Sequence, residues 1–290
     1  MYKSLEEICE VAKKEGKLFW KVVQEDDCRE QGISEKEAFA QMRGMYQAMR
    51  EADENYDGTL KSESGLVGTD GEKMHAAREA GTLLCGRFIG KVMEKALKTG
   101  ESNACMKRIV AAPTAGSCGV VPAVFLTLEE EKHFTEEKMV EALYVAAGIG
   151  GVIANRAFLA GAAGGCQAEI GSASAMAAGG VAYLMGGDAV QVSHAAALAL
   201  KNLLGLACDP VAGLVEVPCV KRNVMGAVNA LTSADMVMAG ITSKIPPDEV
   251  IDAMRAIGRS MSEDIRETGK GGLAGTPTGV AIRERMAGTL

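Results

Sequence analysis

Three cysteines, Cys166, Cys208 and Cys219, are set among small residues and prolines, in the stretches GAAGGCQAEIG, LACDPVAGL and VEVPCVKRN. Glycine, proline or a short acid beside each cysteine predicts a helix end or a turn, where a sulfur can project. The spacings of 42 and 11 residues suit thiolates that come from separate elements to one inorganic centre. Three such ligands leave a fourth metal position open, and an open iron position acts as a Lewis acid. The pattern therefore indicates an enzyme.

The competing interpretation is that each cysteine is simply a small buried hydrophobe. The spacings fit neither a zinc finger nor a CxxC redox motif, which disfavours structural zinc. Proline next to two of the cysteines, in Cys208-Asp209-Pro210 and Pro218-Cys219, is typical of loops that bind iron–sulfur clusters. Cys118, in PTAGSCGVVP, could approach the same site or lie in the core. Spacing alone leaves these readings open.

Composition restricts the class of protein. The chain has 290 residues, enough for one large domain. A net charge of −7 argues against a nucleic-acid partner, because phosphate binding needs a basic face. The N-terminus has no apolar core of a secretory signal, and the apolar stretches 146–166 and 174–187 are interpreted as buried helices, so no membrane partner is expected. We expect a cytoplasmic protein, whose eight cysteines favour metal binding or catalysis over disulfides.

Helical patterns dominate, and the predicted fold class is mainly α, a single large helical domain with glycine-rich loops. A helical N-terminal segment, residues 1–56, is expected to pack on a body formed by residues 57–290, most economically as one continuous domain. The sequence Ser34-Glu35-Lys36-Glu37 predicts a capping box. A polar loop over 55–73 and a second loop over 108–124 provide side chains for binding. Helices are predicted at about 74–98, from Thr135, and at about 172–185, 188–204, 223–240 and 247–267.

Five segments together resemble the iron–sulfur-dependent L-serine dehydratases, and in particular the catalytic alpha subunit of the two-subunit type. The resemblance runs from about residue 1 to 280. It implies a [4Fe–4S] cluster held by Cys166, Cys208 and Cys219, with one iron available to substrate. The segments are SGLVGTDG (Ser64–Gly71), APTAGSCGVVPAV (Ala112–Val124), GGCQAEIGSASAMAA (Gly164–Ala178), LACDPVAGLVEVPCVKRNVMGAVNA (Leu206–Ala230) and RETGKGGLAGTPTG (Arg266–Gly279).

The resemblance also implies an activity and a partner. The expected reaction is the elimination of water from L-serine, giving pyruvate and ammonia. The chain lacks the additional domain of the single-chain members, and no cysteine follows Gly279 that could occupy the open iron position. We therefore expect a separate beta subunit and a hetero-oligomer.

Substrate binding needs donors for a carboxylate and acceptors for an ammonium group. Hydroxyl and acidic side chains on the two polar loops can supply these, although turn formation and helix capping are an alternative role for each. Charged and amide side chains follow the third cysteine and could neutralise the substrate carboxylate. The predicted substrate-binding residues are Ser62, Ser64, Thr69, Asp70, Thr114, Ser117 and Asn223.

His75, Lys221 and Arg222 are the predicted catalytic residues. His75 follows the first loop at a helix start, which makes it the best-placed histidine to act as a base; His194 lies in an apolar helical pattern and His133 in a charged one. A base from the partner subunit is the alternative. The segment 266–279, with Gly269-Lys270-Gly271-Gly272, lacks the spacing of a phosphate loop and is expected to close near the site.

Three other functions remain possible from the residues. A pyridoxal-phosphate dehydratase would need a Schiff-base lysine, and no lysine has a convincing setting, so we expect no PLP. Desulfidation of L-cysteine on the same cluster is a second possibility. The third is a cluster-bearing sensory subunit with no catalysis of its own.

Overall fold

The computed structural model describes residues 2–288, which are mainly helical and contain no named β-strand. The predicted α class is thereby confirmed. The α-helices are α1 Leu5–Glu15, α2 Phe19–Gln31, α3 Glu35–Glu54, α4 Asp70–Glu79, α5 Gly86–Ala104, α6 Val120–Lys132, α7 Glu136–Arg156, α8 Gly161–Gly164, α9 Ser172–Leu184, α10 Ala189–Lys201, α11 Cys219–Met238, α12 Pro247–Ser260 and α13 Pro277–Ala287. Short 3-10 turns cover Ala115–Ser117, Val211–Gly213, Glu263–Ile265 and Gly272–Gly275, and a π-helical turn covers Gln167–Gly171.

Several helices begin where the sequence predicts a cap. Ser34 and Glu37 form the predicted capping box at the start of α3, which satisfies two backbone N–H groups that the first turn leaves unpaired. Thr135 accepts a hydrogen bond from the backbone N–H of Lys138 at the start of α7. Pro247 occupies the first position of α12, where its missing N–H costs nothing.

Helix α9 lies at the centre, and every one of its residues is buried. It packs against α6, α7, α10 and α11. Small residues permit this close packing: a Cβ on Gly179 would lie 2.1 Å from Ile149 Cδ1, and one on Gly180 would lie 2.3 Å from Phe125 Cζ. The core is therefore filled by the close approach of helix backbones rather than by large aromatic side chains.

Helices α1–α3 share the hydrophobic core of the rest of the chain. Leu5, Phe19 and Tyr46 belong to the same buried cluster as Val124 and Ile149. A division of the chain at residues 56 and 57 therefore stays a prediction, while the shared core fits one continuous domain.

Two helix predictions were wrong in detail. The helix predicted over 74–98 is two helices, α4 and α5, because Gly81 and Gly86 adopt left-handed conformations at φ 68° and 71°. The polar loop predicted over 55–73 ends at Thr69, since α4 begins at Asp70. The helix predicted over 247–267 ends at Ser260 and is followed by a 3-10 turn.

None of the helices within residues 2–288 combines the length and the apolarity needed to cross a membrane. The apolar stretch around α9 is buried inside the protein instead.

Candidate active site

Two of the three cysteines lie at helix starts, the third lies in a loop, and all three are buried. Cys166 precedes the π-helical turn that leads into α9, and Cys219 is the first residue of α11. Cys208 lies in the loop between α10 and the 3-10 turn Val211–Gly213. Their exposures are 2% for Cys166, 3% for Cys208 and 7% for Cys219. Helix α11 begins four residues before the predicted start at about 223, so Cys219 is part of its first turn.

The three thiols lie near enough to one another to affect each other's pKa. Burial raises the pKa of Cys166 to about 11 and that of Cys219 to about 12, and it also raises the pKa of Cys208. Interaction with Cys166 raises the pKa of Cys219 further, and both of these cysteines raise the pKa of Cys208. Electrostatic coupling of all three thiols requires that they lie near one another.

The C-terminal segment holds Cys208 in place. The backbone N–H of Cys208 donates to Ile265 O at 2.9 Å, and Glu267 N–H donates to Cys208 O at 2.7 Å. These two bonds form an isolated parallel β-bridge between Cys208 and Arg266. Glu267 adopts a left-handed conformation with φ 63°, which is uncommon for a residue other than glycine. The beginning of the segment 266–279 therefore lies against the cysteine site.

Asp209 connects this segment to Arg222. Its Oδ1 accepts a hydrogen bond from Arg222 Nη2 at 2.9 Å, and its Oδ2 accepts one from the backbone N–H of Leu273 at 2.8 Å. Arg222 Nη1 also donates to Ala207 O at 2.7 Å. The guanidinium lies beside Cys166, where its charge partly offsets the effect of burial on the thiol pKa. Of the predicted catalytic residues, Arg222 is the one that the fold places at the cysteines.

Glu169 is a site residue that the sequence analysis did not identify. It lies in the π-helical turn and is only 9% exposed. Its Oε1 accepts a hydrogen bond from Thr114 Oγ1 at 2.8 Å, and its Oε2 lies 3.8 Å from Cys208 Sγ. Burial raises the pKa of this carboxyl. Glu169 is the only charged residue in the run of small residues from Gly161 to Gly180, and that isolation was the available signal.

The predicted residues of the second loop are next to Glu169. Thr114 donates to Glu169, and its Oγ1 lies 3.0 Å from Ser117 Oγ. Ser117 is completely buried. A Cβ on Gly116 would lie 3.0 Å from Glu169 Oε1. Since glycine has no Cβ, the loop can approach the carboxylate closely at this position.

Ser62 and Ser64 of the first loop contact a second buried acid, Glu216. Ser62 Oγ donates to Glu216 Oε2 at 2.8 Å, and Ser64 Oγ donates to the same oxygen. Glu216 lies between Cys208 and Cys219 in the chain, so it joins the first loop to the loop that carries these two cysteines. The sequence analysis missed Glu216 because its partners are more than 150 residues away in sequence.

Asp70 and Lys221 form an ion pair of 2.9 Å between the start of α4 and the start of α11. The hydrogen bonds that Lys73 and Lys221 donate lower the pKa of Asp70. The buried Glu101 carboxylate accepts the Asp70 N–H at 2.7 Å, which caps α4 and fixes Thr69 just before it, at φ 69°. Lys221 itself is 62% exposed, so the pair lies at the edge of the site.

Asn223 is a structural link in this fold. Its Nδ2 donates to Gly116 O at 2.9 Å and to Cys219 O at 3.0 Å, and its Oδ1 accepts the Gly119 N–H at 2.9 Å. These bonds attach the turn Ala115–Ser117 to α11. Its predicted contact with substrate stays a prediction, since the protein already uses both of its polar atoms.

His75 lies in a separate group of charged residues. Its Nδ1 is 3.1 Å from Glu94 Oε1 and 3.3 Å from Arg78 Nη2. Burial raises the pKa of Glu94, but hydrogen bonds from Lys98 and Arg78 outweigh that effect and hold it at about 2. The polar contacts of His75 Nδ1 are therefore with Glu94 and Arg78 rather than with the cysteines.

The three cysteines supply thiolates, which are the donors that iron–sulfur clusters use. Within residues 2–288 no three His, Cys, Asp or Glu side chains converge closely enough to hold one metal ion. A cluster differs, because each thiolate binds a different iron and the sulfurs stand farther apart. A Cβ on Gly161 would lie 2.7 Å from Cys208 Sγ and 2.9 Å from Glu169 Oε2, so glycine keeps space free beside this sulfur. Three buried thiols, one of them with free space beside it, have the donor chemistry that an iron–sulfur group requires.

Comparison with known proteins gives a consistent family. The serine dehydratase alpha chain model matches residues 14–274. The probable L-serine dehydratase alpha chain of Bacillus subtilis is 46% identical over 288 residues, which cover 99% of this chain and 96% of that protein. The L-serine dehydratase alpha chain of Peptoniphilus asaccharolyticus is 40% identical over 284 residues, with 98% and 97% covered. The chain therefore belongs to the serine dehydratase alpha chain family, which confirms the resemblance predicted from its motifs.

A longer relative matches in part. The L-serine dehydratase TdcG of Escherichia coli is 42% identical over 181 residues. The match covers 62% of this chain but 40% of that protein, so the larger part of the relative lies outside the match.

Proposed function

We propose that the chain is the catalytic subunit of an L-serine ammonia-lyase, which converts L-serine to pyruvate and ammonia. The observation that carries this proposal is that three buried cysteines, Cys166, Cys208 and Cys219, lie near one another. Glu169 lies beside Cys208, and Arg222 lies beside Cys166. Two relatives that match over nearly their whole length are named as alpha chains of L-serine dehydratase.

The three cysteines would hold a [4Fe–4S] cluster. When bound, the cluster supplies a Lewis-acidic iron that stabilises the oxygen leaving from the substrate. Arg222 is held by Ala207 and Asp209, so its charge stays fixed at the site and can balance an anion there. Thr114 and Ser117 offer hydroxyl groups on the side where Glu169 lies.

In this proposal, Lys221 would guide the carboxylate of the substrate from the edge of the site. Asp70 fixes its Nζ at 2.9 Å, while most of the side chain stays in solvent. Ser62, Ser64, Thr69 and Asn223 support the two loops through backbone and side-chain bonds, and their contact with substrate remains part of the proposal.

The base that removes the substrate proton is assigned to His75 in this proposal. Glu94 would orient its imidazole, as carboxylates do for catalytic histidines. A base from a second chain is the alternative, because the alpha chain designation of the relatives implies a beta chain. We propose that this chain works in a hetero-oligomer with such a beta chain.

The test is an anaerobic reconstitution with iron and sulfide, performed on the chain alone and with its beta chain. Pyruvate from L-serine, together with visible absorption that disappears in Cys208→Ala, is the expected result. Cys118→Ala is the matched control, since Cys118 is buried but its sulfur faces the backbone of Thr99 at 3.9 Å. Sulfide from L-cysteine without pyruvate from L-serine would indicate a desulfidase. A cluster that turns over neither amino acid would indicate the sensory subunit.

A further inference from the structure

Glu169 differs from the other buried acids in its partners. Its polar contacts are the hydroxyl of Thr114 at 2.8 Å and the thiol of Cys208 at 3.8 Å. Within residues 2–288 no lysine, arginine or histidine lies within ion-pair distance of it. Glu94, by contrast, has Arg78 at 2.7 Å and Lys98 at 2.7 Å. Glu169 is thus a buried carboxylate whose charge no side chain balances.

An unbalanced carboxylate in this position is energetically unfavourable. Removing a charge from water costs several kcal/mol unless a cation or several donors replace the lost hydration. The nearby cation, Arg222, directs its hydrogen bonds to Asp209 and to Ala207 O rather than to Glu169. A hydrogen-bond donor on a molecule that enters the site would replace the hydration that Glu169 has lost.

The space around the carboxylate suits a small donor. A Cβ on Gly161 would lie 2.9 Å from Oε2, and a Cβ on Gly116 would lie 3.0 Å from Oε1. Glycine at both positions keeps both oxygens unobstructed on those sides. Since Thr114 already donates to Oε1, the oxygen with remaining capacity is Oε2, which is also the oxygen next to Cys208.

We propose that Glu169 Oε2 binds the α-ammonium group of the substrate and so selects amino acids over acids that lack the amino group. This inference rests on the proposed function, because it assumes an amino-acid substrate at the cysteine site. Because Glu169 Oε2 lies 3.8 Å from Cys208 Sγ, a substrate held there by its ammonium group would lie beside the proposed cluster ligand.

The experiment compares two ligands that cannot lose water. L-alanine carries the ammonium group and propionate lacks it, and neither has a hydroxyl leaving group. Calorimetric titration of the anaerobically reconstituted alpha–beta complex gives both dissociation constants. The wild-type protein should prefer L-alanine, and Glu169→Gln should reduce that preference by about 10-fold or more, because a hydrogen bond between charged groups is worth roughly 1.5–3 kcal/mol. Glu169→Asp, which keeps the charge on a shorter side chain, should lose less of it.

Glu129→Gln is the matched control. This partly buried carboxylate pairs with Arg50 at 2.6 Å and has no contact with the cysteine site, so its removal should leave the preference unchanged. An unchanged preference in Glu169→Gln, with turnover of L-serine abolished, would overturn the proposal and make Glu169 a group that handles a proton. Iron content is measured for each variant; if Glu169→Gln fails to retain iron, the Glu169→Asp result decides.

The same data separate this inference from the proposed function. A wild-type complex that binds L-alanine over propionate through Glu169 but does not turn over L-serine would refute the proposed reaction alone. A complex that turns over L-serine with a preference insensitive to Glu169 would refute this inference alone.

Discussion

Arg222 donates a hydrogen bond to Asp209 at 2.9 Å, which ties the first turn of α11 to the residue that follows Cys208. The other oxygen of Asp209 accepts the Leu273 N–H, so one carboxylate joins two parts of the site to the C-terminal segment. A Cβ on Gly272 would lie 2.4 Å from Asp209 Oδ2, and the left-handed conformation of Gly272 lets the segment reach this acceptor. The segment from Ile265 to Gly275 is therefore attached to the site through few but specific bonds.

Asp209→Ala should loosen this attachment. Lys270 is exposed and lies between the two anchoring points, so trypsin cleavage after Lys270 reports on opening of the segment. Loss of hydrogen bonds to a charged group should raise the rate of cleavage about 10-fold. Asp252→Ala is the control, because it removes an ion-pair partner of Arg156, which is not part of the cysteine site. Equal rates in the two variants would mean that Asp209 does not hold the segment.

Gly161→Ala should prevent normal loading of iron. The added methyl would lie 2.7 Å from Cys208 Sγ and 2.9 Å from Glu169 Oε2, inside normal contact distance of both. We expect circular dichroism to show an intact helical fold, while the iron content after reconstitution falls to a minor fraction of the wild-type value.

Gly44→Ala is the comparison for this variant, because a Cβ at that helical position meets nothing within 4 Å. It should retain full iron content and gain about 0.5–1 kcal/mol of stability from its helix propensity. Full iron content in Gly161→Ala would show that the cluster does not use the space beside Cys208.

Asn223→Ala should act first on stability. The change leaves the Gly119 N–H and the Gly116 carbonyl oxygen without their Asn223 partner in a buried place. Unsatisfied buried groups cost about 1–3 kcal/mol each, so the free energy of unfolding should fall by at least about 2 kcal/mol. Denaturant titration measures this, with the exposed Asn55→Ala as the control. Normal stability with a raised KM for L-serine would instead support the predicted contact with substrate.

Glu94 should make stability depend on pH in the acid range. Its pKa falls from 4.5 to about 2 on folding, mainly through Lys98 and Arg78, with His75 as a further neighbour. The ionised form is therefore favoured in the folded state, and its stabilisation is complete above pH 4.5 and is lost as the pH falls towards 2. At neutral pH, Glu94→Gln should cost on the order of 2–3 kcal/mol.

Urea titrations at several pH values test this dependence. The difference in unfolding free energy between the wild-type protein and Glu94→Gln should shrink steadily below pH 4.5. The exposed carboxylate of the Glu51–Arg108 pair supplies the control variant, Glu51→Gln, for which we expect a change of about 0.5 kcal/mol or less. A difference between wild type and Glu94→Gln that is constant with pH would contradict the assignment.

Local features of the fold could be predicted because their causes are local. The caps at Ser34 and Thr135 use side chains within three residues of the N–H groups they satisfy. Cys166 and Cys219 could be placed at element ends because glycine and proline beside them restrict the backbone. The break between α4 and α5 could not be predicted, because a glycine within a helical pattern can either be tolerated or end the helix.

Most of the site could not be predicted, because its contacts join residues that are distant in the chain. Glu169 obtains its role from Thr114, 55 residues earlier, and from a π-helical turn that no pattern indicates. Asn223 is predicted to bind substrate because it follows Cys219 closely in the chain, and the sequence gives no sign of its bonds to Gly119 and Gly116, which are 104 and 107 residues away. A sequence indicates which side chains can do chemistry, whereas the fold determines which of them already have hydrogen-bond partners within the protein.

The backbone groups that hold Cys208 belong to residues later in the chain, so they are synthesised after Cys208 itself. All three cysteines precede Ile265 and Glu267, whose backbone groups hold Cys208, and they also precede Leu273. A nascent chain that ends between α11 and residue 265 therefore contains every proposed ligand while one of them is still unrestrained. Until residues 265–267 have been made, the two backbone hydrogen bonds that hold Cys208 cannot form, so its loop reaches its final position only when the C-terminal segment is present.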